Sequence, residues 1–370
     1  MTGARRWAPA LWSLLLAALM LGGALGPGYV LTYDMVWVPD TALTPEVWGV
    51  GTALPRAVPS DAVVAVLDTV VPGMLLQKVV LIGSLVGAGA GAAALVGQRS
   101  LGTQLVATSL MVWNPFVVER LVIGHWPVLI GYAVLPWLLV IGRRWDVGTR
   151  MPALLPVLLV LGSLSASTGV ATAFAALTGG MRRGTVRRNA LPAGLCAVAN
   201  LPWLVAGLLH ATSATSSAVG ARVFAASDEG PLPGPLAAIT PGGIWNAEVV
   251  PSTRLGFLAV VSLVVPAALA GPGWLAHRRT PIEGRGAPVA CWFVGVGLAV
   301  VSWSAPGAVG WVAAHVPGGG LLRDGSRLLA LAAPLTVVLV ARGAGWLIDR
   351  TPDRATRVLV AGLPAFVPRP

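Results

Sequence analysis

The sequence predicts an all-α fold: a polytopic bundle of about 10–11 membrane helices, two of them forming a short hairpin, with a small helix on the outer surface. Three observations carry this. Apolar residues make up 56% of the 370-residue chain and charged residues 11%, with a mean hydropathy of +0.79, a balance foreign to soluble domains. Apolar runs of about 20 residues, long enough to cross a bilayer as helix, recur from end to end. The net charge of +11 comes from arginines gathered in short turns between those runs, with Lys78 the only lysine. The positive-inside rule accounts for that pattern, so no nucleic-acid partner is implied.

The first run, Pro9–Gly28, follows Arg5 and Arg6. It is long for a signal-peptide core and lacks an A-x-A site, so it reads as a retained signal anchor with a cytoplasmic N-terminus. The loop 29–73 then lies outside and holds five of the fourteen acidic residues (Asp34, Asp40, Glu46, Asp61, Asp68). Its end, Ser60–Val71, reads as a surface helix capped by Ser60. The next run, Met74–Val96, contains GAGAGAAA, which suits close helix packing. Leu101–Trp113 is short and ends at Asn114–Pro115; the segment NPFVVERLVIGHWP is placed on the outer side, because its charges are costly against lipid. Val128–Ile141 ends at Arg143, Arg144 and Arg150, an inside signal.

Met151–Gly179 as a single crossing would put Arg182, Arg183, Arg187 and Arg188 outside. As two short helices hinged at Ser163–Gly169, sheltered by protein, it returns them inside. Further spans are expected at Leu191–Leu209, Leu255–Ala276, Pro288–Ser304 and Leu328–Ile348, with a long outer loop at 211–254. The run 357–370 reads as the start of an eleventh span or as an amphipathic tail, and the whole as one integral membrane domain, 1–370. All of the acidic residues except Asp146, Glu283, Asp349 and Asp353 then fall on the outer side. Cys196 and Cys291 sit in apolar runs without spacing for a disulfide or zinc.

Three outer segments carry polar groups beyond what a bundle needs. Asp34, flanked by Tyr33 and Trp37, lies just past the first span, where partial desolvation suits a general base; it reads equally as a solvated loop acid. In NPFVVERLVIGHWP, Arg120 and His125 suit a phosphate, and Glu119 suits a hydroxyl; the structural alternative is an interfacial turn with an internal ion pair. RDGSR sets Arg323 and Arg327 four apart at a helix start, after the glycines 318–320, another arrangement suited to phosphate. Its structural alternative makes Asp324 or Ser326 the cap. No P-loop, GxGxxG, metal-ligand spacing or internal repeat is visible.

These features, YDMVWVPD in the first outer loop, the surface helix closing it, the short span ending NPFVVERLVIGHW and the late RDGSR, resemble the GT-C superfamily of membrane glycosyltransferases. The likeness is to its actinobacterial arabinosyl- and mannosyltransferase-like members that use polyprenyl-phosphate sugars. It implies an inverting transfer from a polyprenyl-phosphate sugar to a cell-envelope glycan or glycolipid, on the outer face of the plasma membrane. Asp34 would be the catalytic base, with Asp40 in reserve. Arg120, Arg323, Arg327 and His125 would hold the donor phosphate, and Glu119, Trp37 and Asn114 the acceptor. Asp34 and Asp40 stand six apart rather than as the paired acids of many members, so a divalent metal stays open but without support from the residues, and no other cofactor is assigned. Two other classes stay open: a transporter or lipid flippase, against which the near absence of mid-span charges counts, and a non-catalytic membrane scaffold.

Overall fold

In hydrocarbon, a chain has to satisfy its own backbone hydrogen bonds, and apolar runs of this length do so as helices. The computed structural model describes residues 3–54, 57–97, 99–145, 149–180, 186–211, 217–279 and 286–350. It is all-helical, without a strand among the described residues. In chain order the helices are α1 (Gly3–Leu21), α2 (Ser60–Asp68), α3 (Gly73–Val96), α4 (Leu101–Val112), α5 (Pro115–Val122), α6 (Trp126–Arg144), α7 (Leu154–Gly162) and α8 (Ala166–Gly180). There follow α9 (Val186–Leu209), α10 (Ala218–Val223), α11 (Gly234–Ile239), α12 (Phe257–Arg279), α13 (Gly286–Ser304), α14 (Pro306–His315) and α15 (Ala333–Arg350).

Seven stretches are long and apolar enough to cross a membrane, in α1, α3, α4–α5, α6, α9, α12 and α13. The chain is a multi-pass membrane protein. Those seven, the short pair α7 and α8, and α15 follow the expected segments in order, and α7–Ser163–α8 is the predicted hairpin. The expected tail at 357–370, and Arg182 and Arg183, lie outside the described residues.

α3 packs on α1, α4 and α6, α6 packs on α8, and α15 packs on both α4 and α12. Burial separates centre from rim: 67% of the span windows of α4–α5 and α6 is buried, against 22% for α1, 22% for α9 and 17% for α12. The main core, including Leu85, Met111, Leu129, Leu135 and Val340, therefore sits between α3, α4, α6 and α15. Small residues permit the closest approach: a Cβ on Gly343 would strike the Leu269 carbonyl, and one on Gly273 the Leu339 carbonyl, where α12 and α15 cross.

Two expectations change. Ser60 opens α2 but does not cap it; Pro59 takes the cap position and the Ser60 hydroxyl donates to the Ala57 carbonyl. The span expected to end at Trp113 continues through the start of NPFVVERLVIGHWP as the buried helix α5. The cost of Glu119 and Arg120 is met by partners inside the protein rather than by solvent. The break before α5 is built by Asn114, whose Oδ1 accepts from Val117 N at 3.2 Å while its Nδ2 donates to the Leu110 and Met111 carbonyls at the end of α4. One side chain thus serves both helix ends, and Pro115 at the first helical position has no N–H to lose.

Candidate functional site

At the first-loop end of the bundle, three segments distant in sequence meet. Residues 32–35 form a tight turn, closed by Met35 N donating to the Thr32 carbonyl at 2.7 Å. This turn docks on residues 122–125: Asp34 N donates to the Ile123 carbonyl at 2.9 Å, and Thr32 Oγ1 donates to the Val122 carbonyl at 2.7 Å. Gly124 makes the docking feasible, with φ +84 and no room for a Cβ, which would run into Met35 N and the Thr32 carbonyl. Gly124→Ala is expected to destabilise the protein by about 1–3 kcal/mol and to free the turn, seen as faster amide hydrogen exchange in residues 32–36. Unchanged exchange there would remove the docking role.

The docked turn sets Asp34 Oδ2 2.6 Å from His125 Nε2. His125 Nδ1 lies 3.1 Å from Arg120 Nη1. A guanidinium only donates, so Nδ1 is the acceptor and the imidazole proton sits on Nε2, donated to Asp34. Arg120 is wholly buried; Nη1 also reaches Asp324 Oδ2 at 3.3 Å and Nη2 donates to Ser326 Oγ at 2.6 Å. The Ser326 hydroxyl donates in turn to Asp324 Oδ1 at 3.1 Å. Arg327 Nε donates to Asp324 Oδ2 at 3.1 Å, and its Nη2 stands 3.5 Å from His125 Nε2. Exposure divides the roles: the side chains of Asp34 and Arg327 are 64% and 31% exposed, while His125, Arg120 and Asp324 lie beneath them.

The electrostatics follow from this layering. Burial lowers the pKa of His125; the contact with Asp34 works the other way, and Arg120 and Arg327 add to the lowering, so the ring favours its neutral form. Burial alone would raise the Asp324 carboxyl, but Arg120, Arg327, His125 and the Ser326 hydroxyl hold it well below the usual carboxylate range. The signs give two steps on acidification. As pH falls below about 6.5, the unfolded chain protonates its histidine before the folded one does, and stability declines. The contribution of Asp324 is fully present above about pH 4 and is lost only as pH falls through its lower folded value. Asp324→Asn is expected to remove the lower step and to cost about 1–3 kcal/mol at neutral pH, measured by thermal unfolding in detergent from about pH 7 down to about pH 2, below the ordinary carboxylate value. An unaltered profile would separate Asp324 from the cluster's charge balance.

Of the residues expected at the site, the structure joins Asp34, Arg120, His125 and Arg327. Arg323 stands apart, its guanidinium 4.5 Å over the ring of Phe224, so RDGSR contributes Arg327 and not both arginines. Asp40 is exposed at a turn with φ +53 and shares no described contact with the cluster. Trp37, expected to meet an acceptor, is 2% exposed and packs on Trp126 with ring centroids 5.0 Å apart. Asn114, expected in the same role, spends its amide on the helix break. Asp324 and Ser326 were read as no more than caps; in fact neither caps a helix with its side chain, and both hold the arginines.

No family model, curated protein or solved structure matches this chain.

Glu119, also expected at the acceptor, belongs to a second buried cluster on a neighbouring face of α5. Its carboxyl faces that of Glu229, which receives Arg254 Nε and Nη2, each at 2.6 Å, and the Gly243 N–H. Arg254 donates further to Ser262 Oγ at 2.6 Å and Thr240 Oγ1 at 2.7 Å. This cluster fastens the loop 217–256 to α5. The Tyr33 hydroxyl, donating to Glu248 Oε2 at 2.7 Å, then links that loop to the turn carrying Asp34. No group of three metal-ligating side chains gathers among the described residues.

Proposed function

We propose that the protein is an integral-membrane glycosyltransferase that moves a sugar from a polyprenyl-phosphate donor to an envelope glycan or glycolipid. The first-loop end would face the outside of the plasma membrane. In this reading Asp34 takes the proton of the acceptor hydroxyl as that oxygen attacks the anomeric carbon with inversion. The bond from that carbon to the phosphate oxygen breaks, and the polyprenyl phosphate leaves as an anion whose charge Arg327 meets from the surface and Arg120 from beneath. His125 orients the carboxylate by donating from Nε2; with Nδ1 occupied by Arg120, it cannot pass a proton inward.

The observation that supports this reading is the juxtaposition of an exposed carboxylate, a neutral imidazole 2.6 Å from it and a surface guanidinium within 3.5 Å of the same ring nitrogen. The resemblance in the first loop, in NPFVVERLVIGHW and in RDGSR is independent of that geometry.

The test is a transfer assay in membrane vesicles with a panel of radiolabelled polyprenyl-phosphate sugars and extracted envelope acceptors. Label is expected to move from one donor, with a raised donor KM in Arg327→Ala and a near-normal one in Arg323→Ala. A wild-type protein that transfers from no such donor overturns the reading. Orientation is tested by Leu43→Cys in the exposed first loop, which a membrane-impermeant maleimide should label in intact cells; both natural cysteines are buried. A transporter or flippase would instead move the intact lipid-linked sugar without releasing polyprenyl phosphate.

A further inference from the structure

A second feature is separate from the polar site: a cavity of about 190 Å³ between α4, α12, α13 and α15, roofed by the end of α11. It follows α12 from Val261 to Ala270 and α15 from Ala333 to Val340, a depth of roughly 10–14 Å along the helices. That volume over that depth leaves the cross-section of a single hydrocarbon chain. The side is open where Ile239 of α11 and Ala267 of α12 are exposed, and only 17% of the α12 span window is buried.

The polar groups in the wall present nothing to a ligand. Thr240 and Ser262 donate to carbonyls of α11 and the start of α12, and both accept from Arg254. The Thr336 hydroxyl donates to the Ala332 carbonyl and accepts from Trp292 Nε1. Asn114 is consumed by the break between α4 and α5. Arg254, the cation behind Thr240 and Ser262, is fully buried and bonded to Glu229. Recognition at this cavity therefore rests on apolar shape, and among the described residues no cation lines it to grip a phosphate.

We infer that this cavity is a binding site for one acyl chain of a bilayer phospholipid, held between α12 and α15 as a resident lipid. The occupant follows from the surroundings: the open side of a multi-pass protein at this depth faces hydrocarbon, and a slot without polar recognition takes the chain that bulk lipid supplies. An empty apolar cavity would forfeit the contacts that such a chain restores. The inference does not depend on the transfer reading.

The experiment reconstitutes the full chain in phosphatidylglycerol vesicles doped with a phosphatidylglycerol bearing a diazirine in one acyl chain, irradiates them and maps adducts by peptide. Adducts are expected on the cavity faces of α12 and α15, including Val337 and Val340, which are buried from the general lipid surface. Ala267→Trp should abolish the α15 adducts while leaving those on the exposed α1 residues Leu11 and Leu15. Ala270→Leu, a smaller intrusion, serves if the tryptophan prevents folding. Absence of α15 adducts in the wild type, or adducts unaffected by either filling substitution in folded protein, overturns the site. So does their displacement by added polyprenyl phosphate, which would assign the groove to that lipid instead. Labelling that persists in a transfer-dead variant keeps the two conclusions distinguishable.

Discussion

Asp34→Asn is expected to lower sugar transfer about 10²–10⁴-fold, the usual contribution of a positioned general base, without a comparable loss of stability. The substitution retains an oxygen able to accept from His125 Nε2, and the side chain is 64% exposed, so the fold has little reason to respond. What it removes is the capacity to take a proton. The split between activity and stability is therefore the informative readout: transfer measured in vesicles, unfolding measured in detergent. Asp40→Asn, at an exposed turn outside the network, should leave both nearly unchanged. Full activity in Asp34→Asn would end its assignment as base, and an equal loss in Asp40→Asn would mean that the first loop closes differently over the acceptor. His125→Gln is a useful companion. It can still donate to Asp34 but gives up the charge-sensitive ring, so loss of a pH dependence lying below the ordinary histidine value of about 6.5 would trace that dependence to His125.

Much of the fold was legible because hydrocarbon imposes a simple rule on the chain. Runs near 20 residues have to be helices, and the arginine clusters, the Asn114–Pro115 break and the Ser163–Gly169 hinge punctuate them where the structure does. The short span was misjudged for a physical reason. The sequence shows the charges Glu119 and Arg120 but not Glu229, Arg254 and Asp324, which lie more than a hundred residues away and make burial tolerable. Charge alone therefore read as the end of the span. The same blindness placed Arg323 and Arg327 together, since spacing within RDGSR says nothing of Phe224, which draws Arg323 aside. The aspartate between them did carry a signal, because an acid three residues before Arg327 can accept from it locally; one acid against Arg120 and Arg327 still leaves a positive charge.

The geometry makes α5 the organising element of the candidate site. Glu119 and Arg120 are neighbours in sequence and so leave the helix on different sides. Arg120 gathers His125, Asp324 and Ser326, and through His125 it supports Asp34. Glu119 meets Glu229 and Arg254 from the loop after α9. An eight-residue helix thereby fastens the first loop, the 217–256 loop and the 316–332 segment at one place. Apolar packing assists, Ile123 with Ile244 and Val249 and Leu232 with Ala237 and Ala259, and the buried charges fix which loop meets which side of α5.

Arg254→Ala is accordingly the substitution expected to damage the structure most, by about 3–5 kcal/mol, the cost of breaking a buried pair from one side. The side chains of Arg254 and Glu229 are both 0% exposed, and the guanidinium bonds to Glu229, Ser262 and Thr240 together. Its removal would leave two adjacent buried carboxyls, Glu119 and Glu229, facing each other without the cation that bonds to Glu229. Arg254→Lys should recover little, because a single ammonium cannot reproduce a planar fork that spans three acceptors. Glu229→Leu combined with Arg254→Leu should be milder than Arg254→Ala alone, since it withdraws one charge of each sign together. Thermal unfolding in detergent orders the three variants. If Arg254→Ala unfolds close to the wild type, the cluster is solvated in the protein and the 217–256 loop is held by its apolar contacts instead. If the double variant is the worst of the three, the pair contributes net stability beyond its own desolvation, and the loop depends on it for more than balance of charge.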